Sequence, residues 1–324
     1  MTTTSDTTTT SIVTFLPTGI YALSIPTCAT WNQNGITVAG NSNGNSGSDL
    51  ASLTNPVDIF VDNNYTLYIA DRDNNRVVRY YTNDTIGTVV AGNSTTGNSP
   101  SELNAPKGIA VDQYGAIIVA DSSNYRIQRF PLGSTVGTTL AINSTINILG
   151  QIQIIVMLLN IIQTTTLYVA DYGNETLYVA DYGNETLYVA DYGNETLYVA
   201  DYGNNRVQMY PTGATSGTTV AGITGSAGSS LMQLNGPIAV VVDNNGYIYV
   251  ADYGNSRIVK WTTNYSTGGI CVVACTGTVG AAENQLNGPR DLKFDAEGNL
   301  YVSDQSNNRI QKYTIQQPTS SCPA

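Results

Sequence analysis

The sequence predicts an all-β fold, a closed β-propeller, and three observations point to it. The first is a phrase close to Leu-Tyr-Val-Ala-Asp, whose final aspartate returns at Asp71, Asp121, Asp171, Asp201, Asp252 and Asp304. With the 30 residues between Asp171 and Asp201 set aside, the intervals are 50, 50, 51 and 52 residues. A fixed period of that length in a strand-rich chain marks a propeller or solenoid of five periodic units. The second is the texture within a unit, where runs of five or six residues rich in Val, Ile, Tyr and Thr are separated by Gly, Asn and Asp turns. The third is composition. Only 11% of the 324 residues are charged, while Gly (31) and Tyr (22) are abundant, which gives no support to long helices.

Residues 103–142 show one unit in order. Leu103, Asn104, Ala105 and Pro106 turn into a strand at 108–112, followed by a hairpin turn at 113–115 and a second strand at 116–121. A turn at 122–124 leads to the alternating strand 126–130, and 137–142 is the fourth. Four short strands joined by tight turns form an antiparallel meander, which is one blade. Pro56, Pro106, Pro237 and Pro289 open the first strand elsewhere, with Asp62, Asp112, Asp243 and Asp295 six residues later. Five residues after the phrase aspartates Asp71, Asp121, Asp201, Asp252 and Asp304 stand Arg76, Arg126, Arg206, Arg257 and Arg309, so five of the 13 basic residues occupy one slot. A buried charge needs a partner. These Asp and Arg residues, with the turn Asn, are therefore expected to hydrogen-bond within turns and between blades.

The two ends are expected to complete the ring. The last unit stops after its third strand at 309–313, and a fourth-strand phrase at 36–40 has no unit of its own. The N-terminal strand should complete the last blade and remove an open edge. This closure would bring Cys28 and Cys322 together, and their disulfide would tie the ring shut. The other two cysteines, Cys271 and Cys275, fall in one strand-like run, where a regular strand sets them about 13 Å apart, too far to bridge.

The phrase Leu-x-x-Pro-x-x-Ile-x-Val-Asp, a hairpin, Leu-Tyr-Val-Ala-Asp and then Asn-x-Arg-Ile resembles the NHL repeat over residues 36–315. That resemblance implies a closed propeller, usually of six blades. It also brings in RNA-binding, sensor-domain and zinc-dependent lyase relatives, and lactonases of the same architecture. The chain has no histidine, which removes the zinc ligands of the lyase type as well as Ser-His-Asp and Cys-His mechanisms. Its net charge of −11 disfavours nucleic acid. The calcium constellation of the lactonase type finds no position-by-position match. No apolar run is long enough to span a bilayer.

Binding remains. The residues just after the strand-opening prolines should line the channel mouth, and Asp58, Lys107, Arg290 and Asp291 are the charges there. The chain is read as a non-enzymatic, monomeric binding or scaffold propeller without a cofactor, for a protein or glycan partner; the alternative is a calcium-dependent propeller hydrolase or lactonase. Eight Asn-x-Ser/Thr sequons, at Asn64, Asn83, Asn93, Asn143, Asn174, Asn184, Asn194 and Asn264, are consistent with a glycosylated extracellular or cell-surface protein. Composition alone gives about as many. The Thr-rich start shows no signal peptide, so a signal is expected upstream or is missing.

The expected organisation is a Thr/Ser-rich segment at 1–30, the propeller at 31–316 and a tail at 317–324. One unit is irregular. Where the third unit should carry its proline, glycine and aspartate, it has the apolar run 153–162, read as a substitute inner strand. A tandem ten-residue duplication at 165–204 follows, with Leu-Tyr-Val-Ala-Asp-Tyr-Gly-Asn starting at Leu167, Leu177, Leu187 and Leu197. The extra copies either project as a meander or are recruited to build a sixth, incomplete blade, so the blade count is five or six. Repeated acidic turns can bind calcium, but Gly-Asn turns are ordinary hairpin chemistry, and no metal is assigned to them.

Overall fold

The structure, a computed structural model, describes residues 25–112, 114–142, 156–161, 164–169, 186–190, 196–211 and 214–316. Among them the only helical elements are single 3-10 turns, and every sheet pairing is antiparallel. No described helix is long and apolar enough to cross a membrane.

In chain order the strands begin with β1 (Thr30–Trp31) and β2 (Ile36–Gly40). The first four-stranded sheet is β3 (Pro56–Val61), β4 (Leu67–Asp71), β5 (Arg76–Tyr80) and β6 (Thr88–Ala91). The second is β7 (Pro106–Val111), β8 (Ile117–Asp121), β9 (Arg126–Phe130) and β10 (Thr138–Ile142). A two-stranded sheet of β11 (Val156–Ile161) and β12 (Thr164–Val169) follows. The third four-stranded sheet is β13 (Thr186–Ala190), β14 (Leu197–Asp201), β15 (Arg206–Tyr210) and β16 (Thr218–Gly222). The fourth is β17 (Pro237–Val242), β18 (Ile248–Asp252), β19 (Arg257–Trp261) and β20 (Ile270–Val273). The fifth joins β21 (Pro289–Phe294), β22 (Leu300–Asp304) and β23 (Arg309–Tyr313) to the N-terminal β2. Finally β24 (Ile315–Gln316) pairs with β1.

The expected completion of the last blade is therefore present, with Ile36 opposite Lys312 and Gly40 opposite Arg309. Packing reaches further upstream than residue 31. Ile25 is buried, the Trp31 indole N–H donates to the Gly298 carbonyl at 2.9 Å, and the Asn245 amide donates to the Ile25 carbonyl at 2.7 Å. Cys28 is a disulfide cysteine; its expected partner, Cys322, lies outside the described residues.

Each sheet buries one face against the next. Ile59, Ile69 and Val78 of the first sheet pack with Tyr301 and Ile310 of the fifth, all buried. Each such aliphatic side chain contributes about 1.5–3 kcal/mol of burial. The first strands also follow one another: β13 touches β17, then β21, β3, β7 and β11 in succession. Six successive positions thus arise from five periodic units. The apolar run of the irregular unit does form a strand, β11, but it pairs with β12 and not with β14. The strand beside β14 is instead the third copy of the decapeptide, with Leu187 opposite Ala200 and Val189 opposite Tyr198. Near-identical segments only a few residues apart in sequence pair with little loop-closure cost, which favours this local partner over the distant run.

The expectation that Cys271 and Cys275 stand too far apart is wrong. They form a disulfide with Cα atoms 5.8 Å apart. The strand is not regular throughout: β20 ends at Val273, Ala274 adopts a left-handed φ of 57°, and the chain doubles back.

Candidate functional site

The repeated Asp, Asn and Arg form one unit of construction at the end of the second strand. Arg76 Nε donates to Asp71 Oδ2 at 2.7 Å, and its Nη atoms donate to the carbonyls of Ser48, Asp49 and Ser52 in the preceding loop. Arg126, Arg257 and Arg309 repeat this on Asp121, Asp252 and Asp304, each holding three or more loop carbonyls. The other carboxylate oxygen accepts a backbone N–H from Thr54, Asn104, Asn235 or Asn287 at 2.7–2.8 Å. Burial pushes these four carboxyls up, and their hydrogen bonds and the guanidinium oppose it.

The 3-10 turn between these residues ends on a left-handed residue, Asn75, Tyr125, Asn205, Ser256 or Asn308. Four of these five side chains reach the next blade. Asn75, Asn205 and Asn308 accept the N–H of Ala105, Gly236 and Asn55 at 2.9 Å, and Ser256 accepts that of Gly288 at 3.2 Å. In each case the donor precedes the proline that opens a first strand. The turns thus fix the loops and the entry to each first strand into one rigid face.

The channel-mouth candidates lie on this face. Among the four of them, the structure brings Asp58 and Asp291 together. β3 and β7 stand at the edge of their sheets and have a ladder partner on one side only, so N–H groups on the other side are open to a side-chain acceptor. Asp291 Oδ2 accepts the N–H of Ile59 at 3.1 Å, and Asp58 Oδ2 accepts that of Ile109 at 2.6 Å. Lys293, two residues beyond Asp291 on the same side of β21, donates to both Asp291 oxygens at 2.7 Å and lies 3.8 Å from Asp58. Burial, and then the charge of Asp291, raise the Asp58 carboxyl well above its ordinary range. Burial alone would lower the Lys293 ammonium, but Asp291 and Asp58 hold it above its usual value. Lys107 and Arg290, each the second residue of its strand, are half-buried. Lys293 was not among the expected residues, although its alternation with Asp291 was readable.

Sequence reasoning also missed an aromatic pair. Tyr202 and Tyr253 open the turns after β14 and β18, and their ring centroids lie 6.4 Å apart. The signal was the Asp-Tyr-Gly-Asn phrase itself, read only as turn chemistry. Among the described residues, no cluster of three or more His, Cys, Asp or Glu side chains is arranged to hold a metal.

Comparison with known proteins agrees with this architecture. The NHL repeat family model matches residues 103–130, 234–261 and 286–313, which are the first three strands of the second, fourth and fifth sheets. The chain carries NHL repeats at these three places, within a β-propeller fold. A stretch of 99 residues, 29% of the chain, is 28% identical to NHL repeat-containing protein 3 of Homo sapiens and of Mus musculus. It covers only 27% of the length of those relatives. Among solved structures, an auxiliary nutrient binding protein from Bacteroides thetaiotaomicron is similar with a TM-score of 0.63 at 14% identity, over 89% of this chain and 78% of that one. A gluconolactonase from Xanthomonas campestris is similar with a TM-score of 0.54 at 13% identity, over 91% and 99% of the two chains. At such identities the likeness shows the fold alone.

Proposed function

We propose that this NHL propeller is a non-catalytic binding module, monomeric and working outside the cell or at its surface, whose loop face engages a protein or glycan partner. The observation that carries this reading is that the carboxylates at the mouth are already committed. Asp58 and Asp291 cap backbone N–H groups of the neighbouring first strand and share Lys293. Groups so engaged hold loops in place, whereas a base or nucleophile must meet substrate. Lys107 and Arg290, both half-exposed on this face, are the contact residues of this reading. The Cys271–Cys275 disulfide supports an oxidising compartment.

The test is binding of the immobilised protein to a panel of extracellular proteins and glycans, with Lys107→Glu and Arg290→Glu as variants. Charge reversal should weaken capture at least about tenfold while the melting temperature holds. Capture that ignores both variants would move the contact surface elsewhere. A calcium-dependent hydrolase makes a different demand, several oxygen ligands on one cation. The dialysed protein is expected to hold no stoichiometric calcium and to leave lactones unhydrolysed.

A further inference from the structure

The mouth is not uniform, and its two sides point to one class of ligand. On the side of β21, β3 and β7 stand Asp291, Lys293 and Asp58, with Lys107 and Arg290 beside them. On the side of β17 and β21 lies the tyrosine pair, its planes inclined at 56°. Each ring is laid across the entry to the next first strand. A Cβ on Gly236 would meet the Tyr202 ring at 2.7 Å, and one on Gly288 would meet the Tyr253 ring at 2.9 Å. Gly288 is two residues before Arg290, so the aromatic wall runs directly into the charged one. Where the first two sheets begin, the residues before the proline are Asn55 and Ala105, and the facing turns open with Gln305 and Arg72. The aromatic wall is therefore a property of one side only. Both rings pack partly on the core and remain half-exposed.

We infer that this mouth binds a neutral oligosaccharide, with a sugar ring stacked on Tyr253 and Tyr202 and its hydroxyls directed to Arg290 and Lys107. This rests on the binding-module reading above. Tyrosine offers a large rigid contact at small entropy loss, and a sugar presents an apolar C–H face edged with hydroxyls. The charges around the rings favour a neutral ligand. A cationic peptide would meet Lys107, Lys293 and Arg290, and an anionic one would meet Asp58, Asp291 and the chain's net charge of −11.

Titration calorimetry of the full chain with hexasaccharides of glucose, mannose and galactose, and with a sialylated glycan as the acidic counterpart, tests it. At least one neutral hexasaccharide should bind. Tyr253→Leu, which keeps apolar bulk over Gly288 but removes the flat ring, should weaken it at least about tenfold, and Tyr253→Phe should stay within about threefold. Both variants should melt with the parent protein; if Tyr253→Leu does not, Tyr202→Leu takes its place. Preference for the sialylated glycan, or binding that survives both leucine variants, would overturn the inference. Capture of a protein partner sensitive to Arg290→Glu, with no saccharide bound, would overturn the glycan assignment and leave the binding-module reading standing. No capture in either assay would remove both.

Discussion

Arg76 and Arg206 occupy the same slot, on the same turn, with the same 2.7 Å contact to an aspartate five residues back, yet they sit in different surroundings. The Arg76 side chain is 2% exposed and holds three loop carbonyls, whereas that of Arg206 is 22% exposed and its Nη1 donates to the Thr224 hydroxyl at 3.2 Å. The loop carbonyls held by Arg76 lie 28, 27 and 24 residues upstream; at those offsets from Arg206 the chain is inside the decapeptide duplication, at positions outside the described residues. The repeat therefore consists of more than a motif. Where the preceding loop is described, its carbonyls extend the Asp-to-Arg pair into a structural clamp.

The sharpest way to break this comparison is to remove both arginines in turn. Arg76→Ala leaves Asp71 buried without its counter-charge and should cost about 3–5 kcal/mol. Arg206→Ala should cost no more than about 2 kcal/mol, because both members of its pair are more exposed than Arg76 and Asp71. Urea melts of the two variants, compared at equal slope, decide it. Equal losses would mean that the difference in enclosure contributes nothing and that the motif alone is the stabilising unit.

This contrast also marks what could be read in advance. Period, strand order and the Asp-to-Arg slot were legible because they depend on residues that recur at fixed intervals. The closure by β2 was legible because the last unit lacked its fourth strand. Three things were hidden for physical reasons. Ala274 carries no side-chain sign of a left-handed turn, so Cys271 and Cys275 looked like members of one straight strand. Which copy of the decapeptide pairs with β14 depends on competition among near-identical segments, which sequence pattern does not rank. And the sequence offered the charges after the opening prolines as a group, but only coordinates reveal that Asp58 and Asp291 cap the neighbouring strand.

A second comparison lies within the intact sheets. Asp71 and Asp58 are both buried acids of the first sheet, but Asp71 faces a guanidinium squarely and Asp58 shares a lysine with another carboxylate. Asp58→Asn should therefore raise the melting temperature by a few degrees near pH 7, since asparagine still accepts the Ile109 N–H and leaves Asp291 paired with Lys293. The sign follows from linkage. The folded carboxyl is raised, so its contribution to stability is full below the unfolded value of about 3.9 and is lost as pH climbs through the folded value. The advantage of the variant should vanish at pH 3 and grow above pH 4. An advantage that persisted at pH 3 would place its origin in packing and not in charge.

The smallest effect isolates the turn residue. Four of the five left-handed positions ending the 3-10 turns carry Asn or Ser, whose side chains accept an N–H from the next blade. The fifth is Tyr125, at φ 53° and 40% exposed, which brings a Cβ into the same strained region without a short acceptor to offset it. Tyr125→Asn should gain about 0.5–1 kcal/mol, and Tyr125→Gly a similar amount less the entropy glycine adds to the unfolded chain. Asn75→Tyr, the reverse change at the matched position, should lose more than Tyr125→Asn gains, because it also orphans the Ala105 N–H. Chemical denaturation of the three variants separates strain from capping. If Tyr125→Asn and Tyr125→Gly left stability unchanged, the left-handed turn would be held by the surrounding Asp121, Asn124 and Arg126 network, whatever residue occupies it.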